Sequence, residues 1–148
     1  MEREDYMRMA LAEAEAAASA GEVPVGCVIA DADGRVVGRG RNRREEKQSA
    51  LSHAEIEAIH SACGALGSWR LDRCTLYVTL EPCPMCAGAI LNARIPVVVF
   101  GAREAQFGSC GSVVDLFSER YGHHPAVYTG VLEAECAALL RRFFQALR

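Results

Sequence analysis

One cysteine motif and one distant histidine limit what this chain can fold into. Cys83 and Cys86 stand three positions apart, and His53 lies thirty residues before Cys83, with Glu55 two positions after the histidine. Imidazole and thiolate groups suit a zinc ion, and three protein ligands leave the fourth tetrahedral position open for water. A fold that binds this metal must therefore bring two distant segments to one point, with a carboxylate beside it.

The spacing of these residues places the metal at helix ends. Within a helical turn Cys83 and Cys86 share a face and can hold one ion. His53 and Glu55 are about 200° apart around an ideal helix, so in mid-helix they could not address the same metal. That conflict disappears if the ion lies beyond the N-terminus of a helix that starts near Ser52 or His53. We therefore predict two helix N-termini pointing at one ion, with His53 within about 7 Å of the cysteines.

The four residues together indicate hydrolysis rather than a structural metal site. Zinc in an open site lowers the pKa of a bound water to about 7. Glu55 is then better suited to moving protons than to acting as a fourth ligand. A His-x-Glu segment followed by Pro-Cys-x-x-Cys, as in Pro82 to Cys86, is typical of zinc deaminases.

Alternating apolar patterns and turn residues predict an α/β fold. The 148 residues are expected to form one domain, 1–148, built as a three-layer α/β/α sandwich around a mixed five-stranded sheet. A polar loop is expected over 41–49. The predicted helices cover 4–20, 53–64, 84–93 and 133–147, and the predicted strands cover 23–30, 35–40, 75–80, 95–100 and 126–129.

Composition restricts the class of protein further. The chain is 51% hydrophobic and 24% charged, as in ordinary globular proteins. No apolar run approaches the roughly 20 residues that span a bilayer, and the acidic N-terminus does not resemble a signal peptide. Seven cysteines are an odd number and a poor disulfide framework, and Cys27 and Cys136 are expected to be buried. We therefore expect a cytoplasmic protein without membrane contact.

Charge gives only a local indication of a nucleic-acid partner. The net charge of −3 is no general signature of nucleic-acid binding. Arginines nevertheless gather in one loop and again near the C-terminal end, where they could be ordinary solvated surface or a phosphate-binding patch. The two clusters are Arg41, Arg43 and Arg44, and Arg141, Arg142 and Arg148.

Longer blocks give a resemblance to a known family. They are EVPVG at 22–26, GRNR at 40–43, LYVTLEPCPMCAGA at 76–89, VVFGA at 98–102 and GVLEAEC at 130–136, followed by Phe143 and Phe144. Over nearly its whole length the chain resembles the bacterial tRNA-specific adenosine deaminases, within the cytidine-deaminase-like superfamily. The metal motif alone indicates the superfamily, and the long blocks indicate this branch.

The resemblance implies hydrolytic conversion of adenosine to inosine at the wobble position of a tRNA anticodon. Water activated at zinc would attack C6, Glu55 would protonate N1, and ammonia would leave. Asn42 would hydrogen-bond the flipped base, Val25 would pack on it, and the Ala54 backbone would help to read its edge. One zinc ion per subunit would be held by His53, Cys83 and Cys86.

The resemblance also implies a homodimer that grips a tRNA anticodon stem-loop across both subunits. Family members commonly carry Asp and then Lys in the loop after the fourth strand. Here Glu104 keeps the acid on a longer arm, whereas Gln106 and Phe107 provide no basic group. The candidate tRNA contacts are Arg41, Arg43, Arg44, Glu104, Arg142, Phe144 and Arg148.

Two other functions fit parts of the sequence. A deaminase of a free base or nucleoside, of the guanine or cytosine type, could use the same metal site. Asn42 with its arginine neighbours and the C-terminal helix favour tRNA over that alternative. A zinc-stabilised RNA-binding module without catalysis is the second alternative, and it would leave Glu55 without a role.

Overall fold

A single mixed sheet organises the computed structural model, which describes residues 1–147. Its strands are ordered β2-β1-β3-β4-β5. β1 pairs antiparallel with β2 and β3, and β3, β4 and β5 are parallel. In chain order the elements are α1 Arg3–Ser19, β1 Gly26–Ala30, β2 Val36–Arg41, α2 Arg44–Lys47, α3 Ala54–Leu66, β3 Thr75–Leu80, α4 Pro84–Ala93, β4 Val97–Ala102, a 3-10 turn Leu116–Ser118, β5 Ala126–Tyr128 and α5 Glu133–Ala146.

Helices cover both faces of the sheet, which confirms the predicted three-layer architecture. α3 and α4 pack on one face, where Ala58 and Ile90 join the buried side chains of alternate strand positions such as Val78. α1 packs on the other face together with α5, where Met7 and Cys136 join Val28. The central strands are buried from both sides, so their sequences are nearly continuous apolar runs.

Strand direction brings four chain segments to one edge of the sheet. Because β1 is antiparallel to β3, the start of β1 lies beside the end of β3. Gly26 pairs with Arg41, so the end of β2 reaches the same edge. Leu80 pairs with Ala102 in the parallel neighbour β4. The residues just outside these four strand ends therefore meet, although they are up to about eighty positions apart in sequence.

Gly40 allows α3 to lie unusually close to β2. A Cβ atom at this position would come within 2.2 Å of the backbone oxygen of Ala54 and 2.6 Å of the backbone nitrogen of Ala58. No side chain fits that space, because real Cβ atoms do not approach backbone atoms so closely. Because Gly40 has no side chain, the first turn of α3 can pack directly against β2 at the sheet edge.

The predicted elements all form, with the largest shifts at the starts of β1 and β4, and with one further helix that was not predicted. β1 begins at Gly26 rather than at 23, since the Val25 N–H bonds back to the Val23 carbonyl and Pro24 has no N–H to donate. β4 begins two residues later than predicted, because the Ile95 N–H donates to the Ile90 carbonyl and so still belongs to the end of α4. The predicted polar loop 41–49 contains the short helix α2.

Two further sequence expectations can be compared with the structure. Cys27 and Cys136 are buried, as predicted for small apolar side chains. All seven cysteines have free thiols. Within residues 1–147, none of the helices combines the length and the apolar character needed to cross a membrane.

Candidate metal centre and substrate cavity

The predicted ligands meet at the N-termini of α3 and α4. Nδ1 of His53 lies 3.6 Å from Sγ of Cys83 and 3.5 Å from Sγ of Cys86. All three ligand atoms fall within 4.8 Å of one another. His53 is the residue that caps α3, and Cys83 is the residue that caps α4. The prediction of two helix ends converging on one point is confirmed.

Local sequence explains why the helices begin there. Pro84 occupies the first position of α4, where its missing N–H costs no helical hydrogen bond. His53 and Cys83 both have extended backbone before the first helical turn, so their side chains project beyond the helix ends. Cys86, in the first turn of α4, is fully buried beneath them.

The donor set fits a zinc ion. The pKa of Cys83 is lowered to about 4, first because the Cys86 thiol donates a hydrogen bond to its sulfur and then because His53 does so. The thiolate is the form of cysteine that binds metals. The pKa of Cys86 is raised, because its thiol proton is hydrogen-bonded to the sulfur of Cys83 and because the Cys86 side chain is buried. A cation placed between these sulfurs would favour loss of that proton as well.

Glu55 is a buried carboxyl group beside the ligands. It lies in the first turn of α3 and exposes 4% of its surface. Burial raises its pKa to about 7, and the negative charge of Cys83 adds to that rise. A carboxyl group with a pKa near neutrality can both accept and donate protons at working pH. Its environment therefore suits proton transfer.

A cavity of about 570 Å³ opens over this cluster. Its volume is within the range of small-molecule sites. Each of the three residues expected to bind the base lines it: Val25, Asn42 and Ala54. Asn42 is buried, and its Oδ1 accepts a hydrogen bond from the Arg44 backbone at 3.1 Å. Its amide group still carries two N–H donors for an acceptor atom in the cavity.

The first arginine cluster flanks the cavity residue Asn42 in sequence and is partly neutralised. Arg41 and Arg43 each contact Glu46 at 3.0 Å. Arg44 lines the cavity and lies 3.5 Å from Glu45. The guanidinium of Arg41, by its hydrogen bond, and that of Arg43 lower the pKa of Glu46. Phosphate binding here would therefore compete with these exposed acidic groups.

The candidate contacts near the C-terminus lie elsewhere. Arg142 and Phe144 belong to α5, which packs on the sheet face opposite α3 and α4. Arg142 lines a separate groove between α1 and α5, and Phe144 is exposed. Arg148 is outside the described residues. The structure thus brings Arg44 and Glu104 to the cavity, but Arg41, Arg43 and these α5 side chains do not line it.

Two buried carboxylates that frame the cavity were not predicted from sequence. Glu22 accepts hydrogen bonds from the backbone N–H groups of Glu45 and Glu46, at 3.1 and 2.7 Å. Glu81 accepts from backbone N–H groups of the loop after β4. Glu81 follows an apolar strand and precedes Pro82, and Glu22 stands directly before the apolar stretch that begins with Val23 and Pro24, which is the signal that could have identified them.

Comparisons with known proteins agree with this description. The family model described as MafB19-like deaminase matches residues 1–148. The tRNA-specific adenosine deaminase of Bacillus subtilis (strain 168) is 48% identical over 144 residues, which are 97% of this chain and 89% of that protein. A solved structure from a study of A-to-I editing by tRNA:A34 deaminases has a TM-score of 0.88 at 47% identity, covering 92% of this chain and 99% of its own.

A more distant structure shows how widely the fold is shared. The guanine deaminase of Nitrosomonas europaea has a TM-score of 0.83 at 25% identity, covering 95% of this chain and 83% of its own. Fold and site together define a deaminase domain. The sequence similarity is more specific: this chain belongs to the family of tRNA-specific adenosine deaminases.

Proposed function

We propose that this protein converts adenosine to inosine by hydrolysis at the wobble position of a tRNA anticodon. The observation that carries the proposal is the buried carboxyl group of Glu55 beside the converging His53, Cys83 and Cys86 atoms, at the floor of a base-sized cavity. These three residues would hold one zinc ion. Bound there, zinc would polarise a water molecule and lower its pKa to about 7.

Glu55 moves the protons of the reaction. Its carboxylate accepts a proton from the attacking water and delivers it to N1 of adenine as C6 becomes tetrahedral. The second proton passes through the same carboxyl group to the departing amine, which leaves as ammonia. Burial of Glu55 supports this role, because a raised pKa brings the group near the pH at which it must work in both directions.

The cavity walls orient the base for that attack. Asn42 donates from its amide group to an acceptor on the base, Val25 packs against the ring, and the Ala54 backbone hydrogen-bonds its edge. The target adenosine lies in a single-stranded loop, so rotating it into the cavity costs less than opening a duplex. The arginines at the rim support docking of a phosphate backbone beside the base.

Outer contacts to the stem-loop are proposed at two places. Arg44 and Glu104 line the cavity, and Arg41 and Arg43 flank the cavity residue Asn42 in the same loop. Arg142 and Phe144 on α5, and Arg148 beyond the described residues, would contact the RNA farther from the reacting base. The first group is supported by its position at the cavity, and the second by its resemblance to the family.

We also propose that the active form is a homodimer. Supporting this, a groove beside the cavity is lined by Leu51, Ile56 and Tyr121, and both Leu51 and Tyr121 are largely exposed. Exposed apolar patches of this kind commonly mark protein interfaces. Pro84 and Met85 line both the groove and the cavity, so a second copy on this face would lie next to the substrate.

Residues 1–148 are proposed to act as one catalytic domain in the cytoplasm. Cysteine ligands bind zinc only while their thiols are reduced, and the cytoplasm keeps them so. The match of one deaminase family model to the whole chain supports the single domain.

The test is turnover of the zinc-loaded protein on a short anticodon stem-loop with adenosine at the wobble position. Free adenosine, cytidine and guanine would be assayed in parallel. Inosine formed in the hairpin, with the free compounds unchanged, is the expected result. Turnover of a free base or nucleoside with an unchanged hairpin would instead assign the protein to nucleobase salvage. No turnover of any of them would favour an RNA-binding module.

A further inference from the structure

Phe107 is an exposed aromatic side chain at the mouth of the substrate cavity. It exposes 57% of its surface. Of the large hydrophobic side chains that are exposed in residues 1–147, it is the one that lines the cavity. Single exposed apolar residues are common on protein surfaces. Exposure at the cavity alone therefore does not assign a role to Phe107.

The turn that carries Phe107 is held by several hydrogen bonds. The Gly108 N–H donates to the Glu104 carbonyl at 3.0 Å, and the Gln106 N–H donates to the Glu104 carboxylate at 2.9 Å. The Ser109 hydroxyl donates to the Phe107 carbonyl at 3.0 Å. Hydrogen bonds thus hold the backbone on both sides of Phe107, while its side chain is left in solvent.

Glu81 anchors this turn to the metal-binding segment. Its buried carboxylate accepts hydrogen bonds from the backbone N–H groups of Glu104, Cys110 and Ser112, at 3.1, 3.0 and 3.1 Å. Gly108 packs against the same carboxylate, where a Cβ atom would lie 2.6 Å from Cδ of Glu81. Two positions after Glu81 comes the ligand Cys83, so the aromatic ring and the reacting centre share one support.

A fixed, solvent-exposed aromatic ring beside a base-binding cavity suits stacking. Unpaired bases stack on aromatic side chains in single-stranded RNA recognition. Rigid presentation lowers the conformational entropy lost on binding. When one nucleotide enters the cavity, its chain neighbours must remain at the mouth, since one phosphate joins each of them to it. Arg44 lines the same cavity and supplies a cation there.

We propose that Phe107 is a specificity-determining residue that stacks on the base next to the target adenosine. The inference rests on the proposed function and deepens it, because it assigns recognition of the flanking nucleotide to a named side chain. The ring acts on binding rather than on chemistry. Its loss should therefore raise KM for RNA and leave kcat nearly unchanged.

The test combines two variants with two modified hairpins. Phe107→Ala is assayed on the intact stem-loop and on stem-loops in which the 5′ or the 3′ neighbour of the target is abasic. Base–aromatic stacking predicts a KM roughly tenfold higher for Phe107→Ala on the intact hairpin. On the hairpin that lacks the stacked base, the wild type and Phe107→Ala should have the same KM. Phe107→Trp should restore the wild-type KM on the intact hairpin.

Trp69→Ala is the matched control, because Trp69 is also an exposed aromatic residue but does not line the cavity. It should behave as the wild type on every hairpin. Equal KM values for the wild type and Phe107→Ala on the intact hairpin would overturn the inference. So would a penalty that persists undiminished on both abasic hairpins, or loss of zinc in Phe107→Ala. A wild type that forms no inosine in the intact hairpin would refute the proposed function itself.

Discussion

The floor and the mouth of the cavity are built in opposite ways. On the floor, His53, Glu55 and the two cysteines are side chains of helix ends packed against a buried sheet. At the mouth, Phe107 and Arg44 are exposed side chains on short segments, and buried carboxylates hold the backbone beneath them. The hydrophobic core thus positions the metal-ligand and proton-transfer residues. Hydrogen-bonded loops position the side chains that would contact a large substrate, and those side chains can be substituted without changing the core.

Glu22 and Glu81 connect these two regions. Each carboxylate is buried and binds backbone N–H groups of a segment at the mouth. Because the partners are backbone groups, apart from the Ser112 hydroxyl that also donates to Glu81, most substitutions in the loops leave the support intact. The mouth can therefore vary without disturbing the metal ligands. Changes to the floor should abolish the reaction, and changes to the mouth should alter affinity.

The largest effect is expected from removing a metal ligand. His53→Ala or Cys86→Ala takes away one of three donors, so the protein should lose its zinc and its measurable turnover. Metal analysis of the purified variants, together with the hairpin assay, measures both. Cys63→Ala is the control, since this partly buried thiol lies on α3 outside the cluster. Full zinc occupancy in either ligand variant would contradict the assignment.

Glu55→Ala should separate chemistry from metal binding. The variant is expected to fold and to keep zinc, while kcat falls by roughly 10²- to 10⁴-fold because the proton shuttle is gone. Single-turnover rates on the hairpin measure the loss. Glu57→Ala changes another acid in the same helical turn and should retain most of the rate. Near-normal turnover by Glu55→Ala would remove this residue from the mechanism.

Gly40→Ala tests whether the close packing of α3 against β2 positions the ligand His53. The new methyl group meets the Ala54 carbonyl, so α3 must shift and the free energy of unfolding should fall by about 1–3 kcal/mol. Zinc affinity should fall with it, because His53 precedes Ala54. Gly64→Ala, on the same helix with open space around it, should instead stabilise the protein by up to about 1 kcal/mol. Thermal unfolding and zinc titration compare the two variants, and equal effects would contradict this account.

The smallest effect is expected at the mouth. Arg44→Ala should lower hairpin affinity and reduce the slope of log K against log salt by about 1, if its guanidinium replaces one phosphate counterion. Arg73→Ala is the control, because Arg73 precedes β3 and lies at the opposite sheet edge from the cavity. An unchanged slope in Arg44→Ala would exclude a phosphate contact there.

Sequence patterns predicted the floor better than the mouth. His53, Cys83 and Cys86 could be grouped because the chemistry of one ion restricts which residue types and spacings can meet. α4 was predicted to the residue, since Pro84 marks its start. Glu81 could not be assigned, because its partners are mainly backbone N–H groups 23 to 31 positions away, and the one side chain among them, Ser112, is a common surface residue type without a distinctive pattern. The short helix α2 was missed for the same reason, as Glu22 supports it from a distant segment.

The most direct test of the central claim is mass spectrometry of the anticodon hairpin after incubation with the zinc-loaded enzyme in ¹⁸O-labelled water. Hydrolysis at C6 predicts that the wobble adenosine becomes inosine carrying one ¹⁸O atom, and that Glu55→Ala forms at least about 10²-fold less of it in the same time. A hairpin that the wild-type enzyme leaves unchanged, or inosine without the label, would contradict the account.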